Sequence, residues 1–278
     1  MTCREIIETL EELAPPACAM DWDNPGLMVG RREREVRKVY IALDVTEQVV
    51  NDAIENGCDL ILTHHPMIFD PLKKVNDDDF KGRWIIRLIE AGVNVYSMHT
   101  NFDIAPGCMG DICADMIGIT GGPLEVTQTA FAAAPAVTGE AGAQNGAAGI
   151  GIGKAGALAE PCTLRELAGR IKQAFGLPYV LVYTDDEDRV IHKAAVCPGS
   201  AKGMTEPAVS AGCEVLIGGD FTHHPGLDAV SAGISVIDAG HYGLEHVFIR
   251  FMERFLKDRY GGQLEILTAP FGLPAALV

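Results

Sequence analysis

The chain has 278 residues, of which 48% are hydrophobic, and its formal net charge is −16 at pH 7. This much apolar material suffices for one large core or two small ones. The negative charge argues against a surface that binds nucleic acid or anionic membranes, because their phosphates would be repelled. An anionic small-molecule substrate would need a local positive centre, which bound metal ions would supply.

The chain is expected to be cytoplasmic, with neither a membrane nor a nucleic-acid partner. No stretch reaches the ~20 apolar residues that a membrane helix needs, and the first residues lack the basic-then-apolar pattern of a signal peptide. The eight cysteines include no C-x-x-C pair, and several lie inside apolar runs. This usage predicts buried thiols rather than a disulfide framework.

The predicted elements begin with a helix that is opened by a capping box from Thr2 to Glu5 and stopped by Pro15. After the loop at 21–30, strands alternate with helices as far as about Gly118. A second capping box opens another helix at Thr163. The strands predicted from apolar and β-branched runs lie at 36–45, 59–63, 93–98, 179–184 and 190–197.

The second half of the sequence repeats the first. The segment at 57–66 recurs at 212–225, and the segment at 91–99 recurs at 232–241. We therefore predict an α/β fold of two similar halves that arose by internal duplication. Between them, residues 129–157 are mostly Ala, Gly and small polar residues, which predicts a linker or flexible insert. The predicted first half, Ala/Gly-rich connector and second half are 1–118, 119–160 and 161–278.

Six of the eight histidines stand at or just beyond predicted strand ends: His64, His65, His99, His223, His224 and His241. Any one of them taken alone could simply be hydrogen-bonded within the fold. For the set, metal binding is favoured, because clustered imidazoles and carboxylates suit Zn, Mn, Fe or Co. Ligands of α/β sheets bind at the carboxyl ends of the strands, which is where these side chains are predicted to lie.

The spacing of the candidates favours two ions over one. His64 and His65 are adjacent at a strand end, where successive side chains diverge, so each can serve a different ion. His241 and Glu245 are one helical turn apart on one face, although an exposed helical pair is the alternative. The two oxygens of Glu245 would allow it to bridge the ions. Asp103 completes the set, because its loop is the first-half counterpart of the segment that holds His241.

Other candidates have weaker support. The loop at 197–203 could bind a phosphate through Gly199 and Ser200, although a tight strand-to-helix turn explains it equally simply. Both tryptophans, Trp22 and Trp84, are expected to pack. Four further residues are candidates for orienting the metal ligands or transferring protons, or they are remnants of the duplicated motif without a function. They are His99, Asp220, His223 and His224.

Several motifs follow one another in order through nearly the whole chain. They are Asp21-Trp-Asp-Asn-Pro-Gly26 with Val29-Gly30, Leu62-Thr-His-His-Pro66, His99-Thr-Asn-Phe-Asp103, Gly151-Ile-Gly-Lys-Ala-Gly156, Val196-Cys-Pro-Gly-Ser200 and Gly240-His-Tyr-Gly-Leu-Glu245. With these motifs the sequence resembles the NIF-three-like dinuclear-metal proteins, which are often named GTP cyclohydrolase 1 type 2. The combination is highly specific for that family.

The resemblance implies a NIF-three-like fold and a toroidal homohexamer whose sites face an internal cavity. The family's metal ligands fall here on His64, His65, Asp103, His241 and Glu245. The chain looks like a short member without the middle domain of longer relatives. It also has Cys-Pro-Gly-Ser where the family usually has a second glycine.

Together these features predict a protein that binds two divalent metal ions and is a metal-dependent hydrolase or cyclohydrolase. Its substrate would be a small nucleotide or phosphorylated molecule, and two ions would lower the pKa of a bridging water and polarise the bond attacked. The cyclohydrolase activity is implied only by the resemblance. The alternative is a non-catalytic metal-handling or regulatory protein that binds ions in order to deliver or sense them.

Overall fold

The computed structural model of the chain describes residues 1–128 and 150–272. These residues divide into two compact units. The first unit comprises Met1–Phe102 and Phe248–Gly272, and the second comprises Asp103–Val247 within the described residues. Each unit is built around its own β-sheet.

Strands and helices alternate through most of the chain. The strands in chain order are β1 (Gly26–Val29), β2 (Lys38–Ala42), β3 (Leu60–Thr63), β4 (Asn94–Ser97), β5 (Ile119–Gln128), β6 (Ile150–Thr163), β7 (Leu181–Tyr183), β8 (Val190–Ser200), β9 (Val215–Gly219), β10 (Ser235–Asp238) and β11 (Glu265–Thr268). The α-helices are α1 (Cys3–Leu13), α2 (Glu47–Glu55), α3 (Phe80–Ala91), α4 (Thr100–Ile104), α5 (Met109–Ile117), α6 (Leu164–Ala174), α7 (Thr205–Ser210), α8 (His223–Ser231), α9 (His241–Glu245) and α10 (Val247–Tyr260).

Four strands have the same arrangement in both sheets. Across the described residues, the first sheet has the order β1-β4-β3-β2-β11 and the second has β5-β6-β8-β9-β10-β7. In the first, β2, β3 and β4 are parallel and β1 runs antiparallel to β4. In the second, β8, β9 and β10 are parallel and β7 runs antiparallel to β10. This shared pattern confirms the predicted α/β fold and fits an internal duplication.

Local chemistry explains where the helices begin and which faces they bury. Thr2 and Thr163 each accept a hydrogen bond from the backbone N–H three residues later, so both predicted capping boxes are confirmed. Helix α1 buries an apolar face that includes Ile6 and Leu10. All residues of β3 and β4 are buried. This is typical of parallel strands that are covered on both faces.

The expected Ala/Gly-rich connector differs from the structure. Residues 119–128 and 150–160 lie in the paired strands β5 and β6, and residues 129–149 lie outside the described residues. A Cβ atom at Gly156 would overlap the carbonyl oxygen of Thr120, so glycine permits this close pairing. The expectation of a linker was wrong for the strand residues, because alanine and glycine have low β-propensity and the pairing is set by the partner strand.

Two further predictions are tested by the fold. All eight cysteines are buried and none forms a disulfide, which confirms the prediction of buried thiols. The loop predicted at 21–30 contains a strand, β1, which pairs with β4 through the register Gly26 to Ser97. No helix in the described ranges is long and apolar enough to cross a membrane.

Candidate metal centre

In the first unit, the predicted histidines gather at one edge of the sheet. His64 and His65 directly follow β3, and His99 follows β4. Because these strands are parallel, their carboxyl ends meet at the same edge. The ring centroids of His64 and His65 are 4.9 Å apart, and the ring of His99 lies 5.4 Å from His64 and 5.7 Å from His65. The structure therefore brings three of the candidates together.

Hydrogen bonds fix which ring nitrogen His64 and His65 present. His64 is fully buried, and its Nδ1 lies 2.7 Å from the carbonyl oxygen of Met98. The Nδ1 of His65 lies 2.7 Å from Oδ1 of Asp44, a residue just after β2. Carbonyl and carboxylate oxygens accept hydrogen bonds, so each ring donates through Nδ1 and, when neutral, keeps a lone pair on Nε2. Metal-binding histidines are commonly oriented in this way.

His99 is oriented in the same way by a buried carboxylate. Its Nδ1 lies 2.6 Å from Oδ1 of Asp23, and the backbone N–H of Thr100 donates to the other oxygen at 2.9 Å. Burial by itself would raise the pKa of Asp23, but the hydrogen bonds from His99 and Thr100 lower that pKa to about 2. Asp23 is therefore ionised near neutral pH. In the sequence it stood out only as part of a motif, since the hydrogen bond spans 76 residues.

In the second unit, the carboxyl ends of the parallel strands also carry the site residues. Gly199 is near the end of β8, Asp220 follows β9, and His241 lies just beyond β10 at the start of α9. The Nδ1 of His241 lies 2.8 Å from Oδ2 of Asp220, and its Nε2 lies 3.0 Å from Oε2 of Glu245. Glu245 is only 3% exposed. The predicted pairing of His241 and Glu245 on one helical face is present.

Two glycines make room for this pair. Gly199 has a φ of 73°, and a Cβ atom there would overlap Oε1 of Glu245 and lie 3.4 Å from Nε2 of His241. A Cβ atom on Gly219 would overlap the backbone nitrogen of His241. Each position therefore needs glycine for space, and Gly199 also needs it for its backbone conformation.

Two carboxyl groups of the second unit act on the same buried thiols. Burial raises the pKa of Cys113 and of Cys197, and the carboxylates of Asp103 and Glu245 raise both thiol pKa values further. Both carboxylates thus act on the same two buried groups. Like charges at a buried position repel each other, and a cation bound to them relieves that repulsion.

The donor chemistry fits a divalent metal ion. In the first unit His64 is buried and His65 is half-buried, and in the second unit Glu245 is buried; each offers one donor atom to a metal ion. Asp103, which is half-buried in α4, adds a second carboxylate. Imidazole nitrogens with carboxylate oxygens suit Zn, Mn, Fe or Co, as predicted.

The second His-His pair does not occupy the position that the repeat suggests. The residue directly after β9 is Asp220, where His64 follows β3, while His223 and His224 lie further on in α8. Both histidines are exposed, and their rings contact each other at 5.2 Å. In the first unit the His-His pair directly follows β3. In the second unit three residues separate the end of β9 from His223, so the second pair does not lie at the strand end.

The proposed anion loop gains no support. Gly199 packs against the side chain of Glu245, where a Cβ atom would overlap Oε1, and Ser200 is exposed. The helix that follows, α7, has only six residues. The tight-turn interpretation therefore explains Gly199 and Ser200 better.

Comparisons with known proteins agree with this architecture. A family model described as Duf34/NIF3 (NGG1p interacting factor 3) matches residues 1–271. A protein of Clostridium acetobutylicum named GTP cyclohydrolase 1 type 2 homolog is 35% identical over 91% of this chain and 89% of its own length. A Clostridium perfringens protein of the same name is 34% identical over 97% and 96%. The crystal structure of a Bacillus cereus protein related to NIF3 matches with a TM-score of 0.84 and 24% identity, covering 100% and 99% of the two chains.

Proposed function

The chain belongs to the Duf34/NIF3 family, and from that premise we propose that it is a metal-dependent hydrolase or cyclohydrolase. Its substrate would be a small nucleotide or phosphorylated molecule. Two divalent ions would be held by the five ligands predicted from the sequence: His64, His65, Asp103, His241 and Glu245. The names of its relatives contain GTP cyclohydrolase, so GTP is the first substrate to test.

The observation that carries this proposal is the shared orientation of the histidines. His64, His65 and His241 each have Nδ1 held by a carbonyl or carboxylate oxygen at 2.7 to 2.8 Å. A histidine that only packs needs no particular nitrogen turned outward. Three rings at sheet edges, all anchored through Nδ1, favour binding of a cation through Nε2.

Each polar side chain has a role in this proposal. Asp44 and Asp220 orient the rings of His65 and His241. His99, held by the ionised Asp23, would exchange a proton with the substrate or with water through Nε2. Bound ions would supply Lewis acidity and a water of lowered pKa. The chain has a net charge of −16, which would repel an anionic substrate. The positive charge of the bound ions would therefore attract that substrate locally.

Assembly and location remain part of the proposal. The family resemblance implies a homohexamer, in which six copies would enclose the sites. The eight buried cysteines without disulfides suit a reducing compartment such as the cytoplasm.

The decisive experiment measures metal and turnover on the same protein. The chain is purified without chelators and its metal content is determined, with about two ions per chain expected. Hydrolysis of GTP, other nucleotides and phosphoesters is then measured before and after removal and return of the metal. A saturated ratio near one would contradict the two-ion site.

Variants separate the enzyme from the alternative. His64→Ala should abolish metal-dependent turnover, while His192→Ala, at an exposed histidine that pairs with Glu214, should leave it unchanged. Exchangeable metal with no turnover over the whole substrate panel would instead favour the metal-handling alternative.

A further inference from the structure

Two large aromatic side chains are exposed next to each other in the first unit. Trp22 is 59% exposed and Phe69 is 44% exposed, and their ring centroids are 6.0 Å apart. The expectation that Trp22 packs was therefore wrong, whereas Trp84 does pack against the core of this unit. Exposed aromatic rings in contact leave apolar area in water that a ligand can cover. We call Trp22 and Phe69 the aromatic pair.

The aromatic pair borders the histidine cluster. The rings of Trp22 and Phe69 each lie 6.2 Å from the ring of His99, in edge-on geometry. The ring of His99 in turn lies 5.4 Å from that of His64. A molecule on the aromatic pair would therefore reach the imidazoles of the candidate metal centre with its polar end.

Hydrogen bonds hold both sides of the pair in place. Asp23, next to Trp22, accepts from the backbone of Thr100 and is bonded to His99. The side-chain amide of Asn24 donates to the carbonyl oxygen of Ile68 at 2.8 Å, which ties the Trp22 loop to the segment that carries Phe69. Because these side chains are already ordered, binding of a ligand would cause little loss of conformational entropy.

We propose that Trp22 and Phe69 bind the planar aromatic ring of the substrate, and so select a heterocycle such as a nucleobase. The two rings are tilted by 59°, so they leave no parallel slot. A ligand ring would stack on the open face of Trp22 with Phe69 against its edge. Its polar substituents would face His99. This inference rests on the proposed function and adds to it the residues that would bind the base.

An apolar partner explains the position less well. The patch adjoins the partly exposed imidazole of His99, so its occupant needs an apolar face and a polar edge. A planar heterocycle combines both in one small molecule. A second copy of the chain remains the competing occupant, and the test distinguishes it.

The test uses two ligands that differ only in the base. Guanosine 5′-monophosphate and ribose 5-phosphate are titrated by calorimetry into the metal-loaded protein. Trp22→Ala should weaken binding of the nucleotide about 10- to 100-fold, the range for loss of one stacked base. Binding of ribose 5-phosphate should not change. Trp22→Tyr should restore most of the nucleotide affinity, because a smaller ring still stacks.

A control and a spectroscopic readout complete the design. Phe80→Ala removes an exposed aromatic ring that contacts Trp84 at 4.9 Å, away from any histidine contact, and should leave both affinities unchanged. In a Trp84→Phe background, Trp22 is the remaining tryptophan. Its fluorescence should then be quenched saturably by the nucleotide and not by ribose 5-phosphate.

The outcomes separate this inference from the proposed function. Metal content is measured for every variant, and Trp22→Ala should bind metal like the parent. Unchanged nucleotide affinity in Trp22→Ala, or no quenching of Trp22, overturns the stacking surface while the metal centre stands. A changed mass by light scattering with unchanged nucleotide affinity also overturns it, and assigns the pair to a contact between copies. A parent without metal overturns the proposed function, whereas quenching of Trp22 would still support stacking.

Discussion

Oδ2 of Asp220 lies 2.8 Å from Nδ1 of His241, and Asp220 holds this position with a φ of 62°. Among the described residues it is the one with positive φ that is not glycine. Aspartate tolerates this left-handed conformation better than most residues, but still at some cost in free energy. The backbone of the second unit is thus strained where a carboxylate orients a candidate ligand.

This contact predicts that Asp220→Ala lowers metal affinity about 10- to 100-fold, the usual cost of removing a partner that orients a ligand. Asp220→Asn should lose less, because its amide oxygen still accepts from His241 and asparagine tolerates the same φ. Calorimetric metal titration of both variants measures the difference. Equal affinities in the parent and Asp220→Ala would contradict an orienting role.

Glu245→Gln should damage the site more than His224→Ala. The carboxylate of Glu245 is 3% exposed beside His241, and an amide is neutral with one acceptor oxygen, so it cannot bridge two cations. The affinity for both ions should fall together. His224→Ala should cost no more than about 10- to 100-fold, and its exposure favours the low end. If Glu245→Gln binds two ions normally and His224→Ala binds none, the ligand assignment is wrong.

Gly199→Ala should be far more harmful than Gly203→Ala. Both glycines have positive φ, 73° and 85°, so alanine at either costs about 1–2 kcal/mol in backbone strain. Only at Gly199 would the Cβ atom overlap Glu245, while nothing lies within 4 Å of that position at Gly203. Urea unfolding measures the loss of stability that backbone strain causes in both variants. Metal titration should show a loss of metal affinity in Gly199→Ala alone.

Asp23→Asn should destabilise the first unit in a pH-dependent way. The pKa of Asp23 is lowered from 3.8 to about 2 in the folded chain, so its ionised form stabilises folding by about 2 kcal/mol at pH 7. That contribution is present above about pH 4 and is lost as the pH falls toward 2. Unfolding by urea at pH 7 and pH 3 should therefore show a larger penalty for Asp23→Asn at pH 7. The exposed Asp21→Asn is the control.

The implied assembly predicts a mass near six times the 29.7 kDa of one chain. The strongly acidic surface disfavours random association, so a closed ring would give one sharp species. Light scattering coupled to size exclusion at micromolar concentration measures this mass. A clean monomer would refute the homohexamer.

Several features could be predicted from the sequence because they depend on neighbouring residues. Capping boxes at Thr2 and Thr163 act over three residues, and strand runs are recognised from their own apolar side chains. The duplication is visible in repeated segments of the sequence, and the matching arrangement of four strands in each sheet fits it. Helical spacing places His241 and Glu245 on one face, and the structure shows the contact between them.

Other features were decided by tertiary structure, because they join residues that are distant in the chain. The contact of Asp23 with His99 spans 76 residues, and only the parallel order of β2 and β3 brings Asp44 to His65. Because β9 ends at Gly219, Asp220 lies at the edge of the sheet and the second His-His pair does not. The point where the strand ends, rather than the position of the motif, determines which residue lies at that edge. The backbones of β5 and β6 approach closely, so glycine is suited to this pairing. The composition of the segment alone does not show that another strand will lie so close to it.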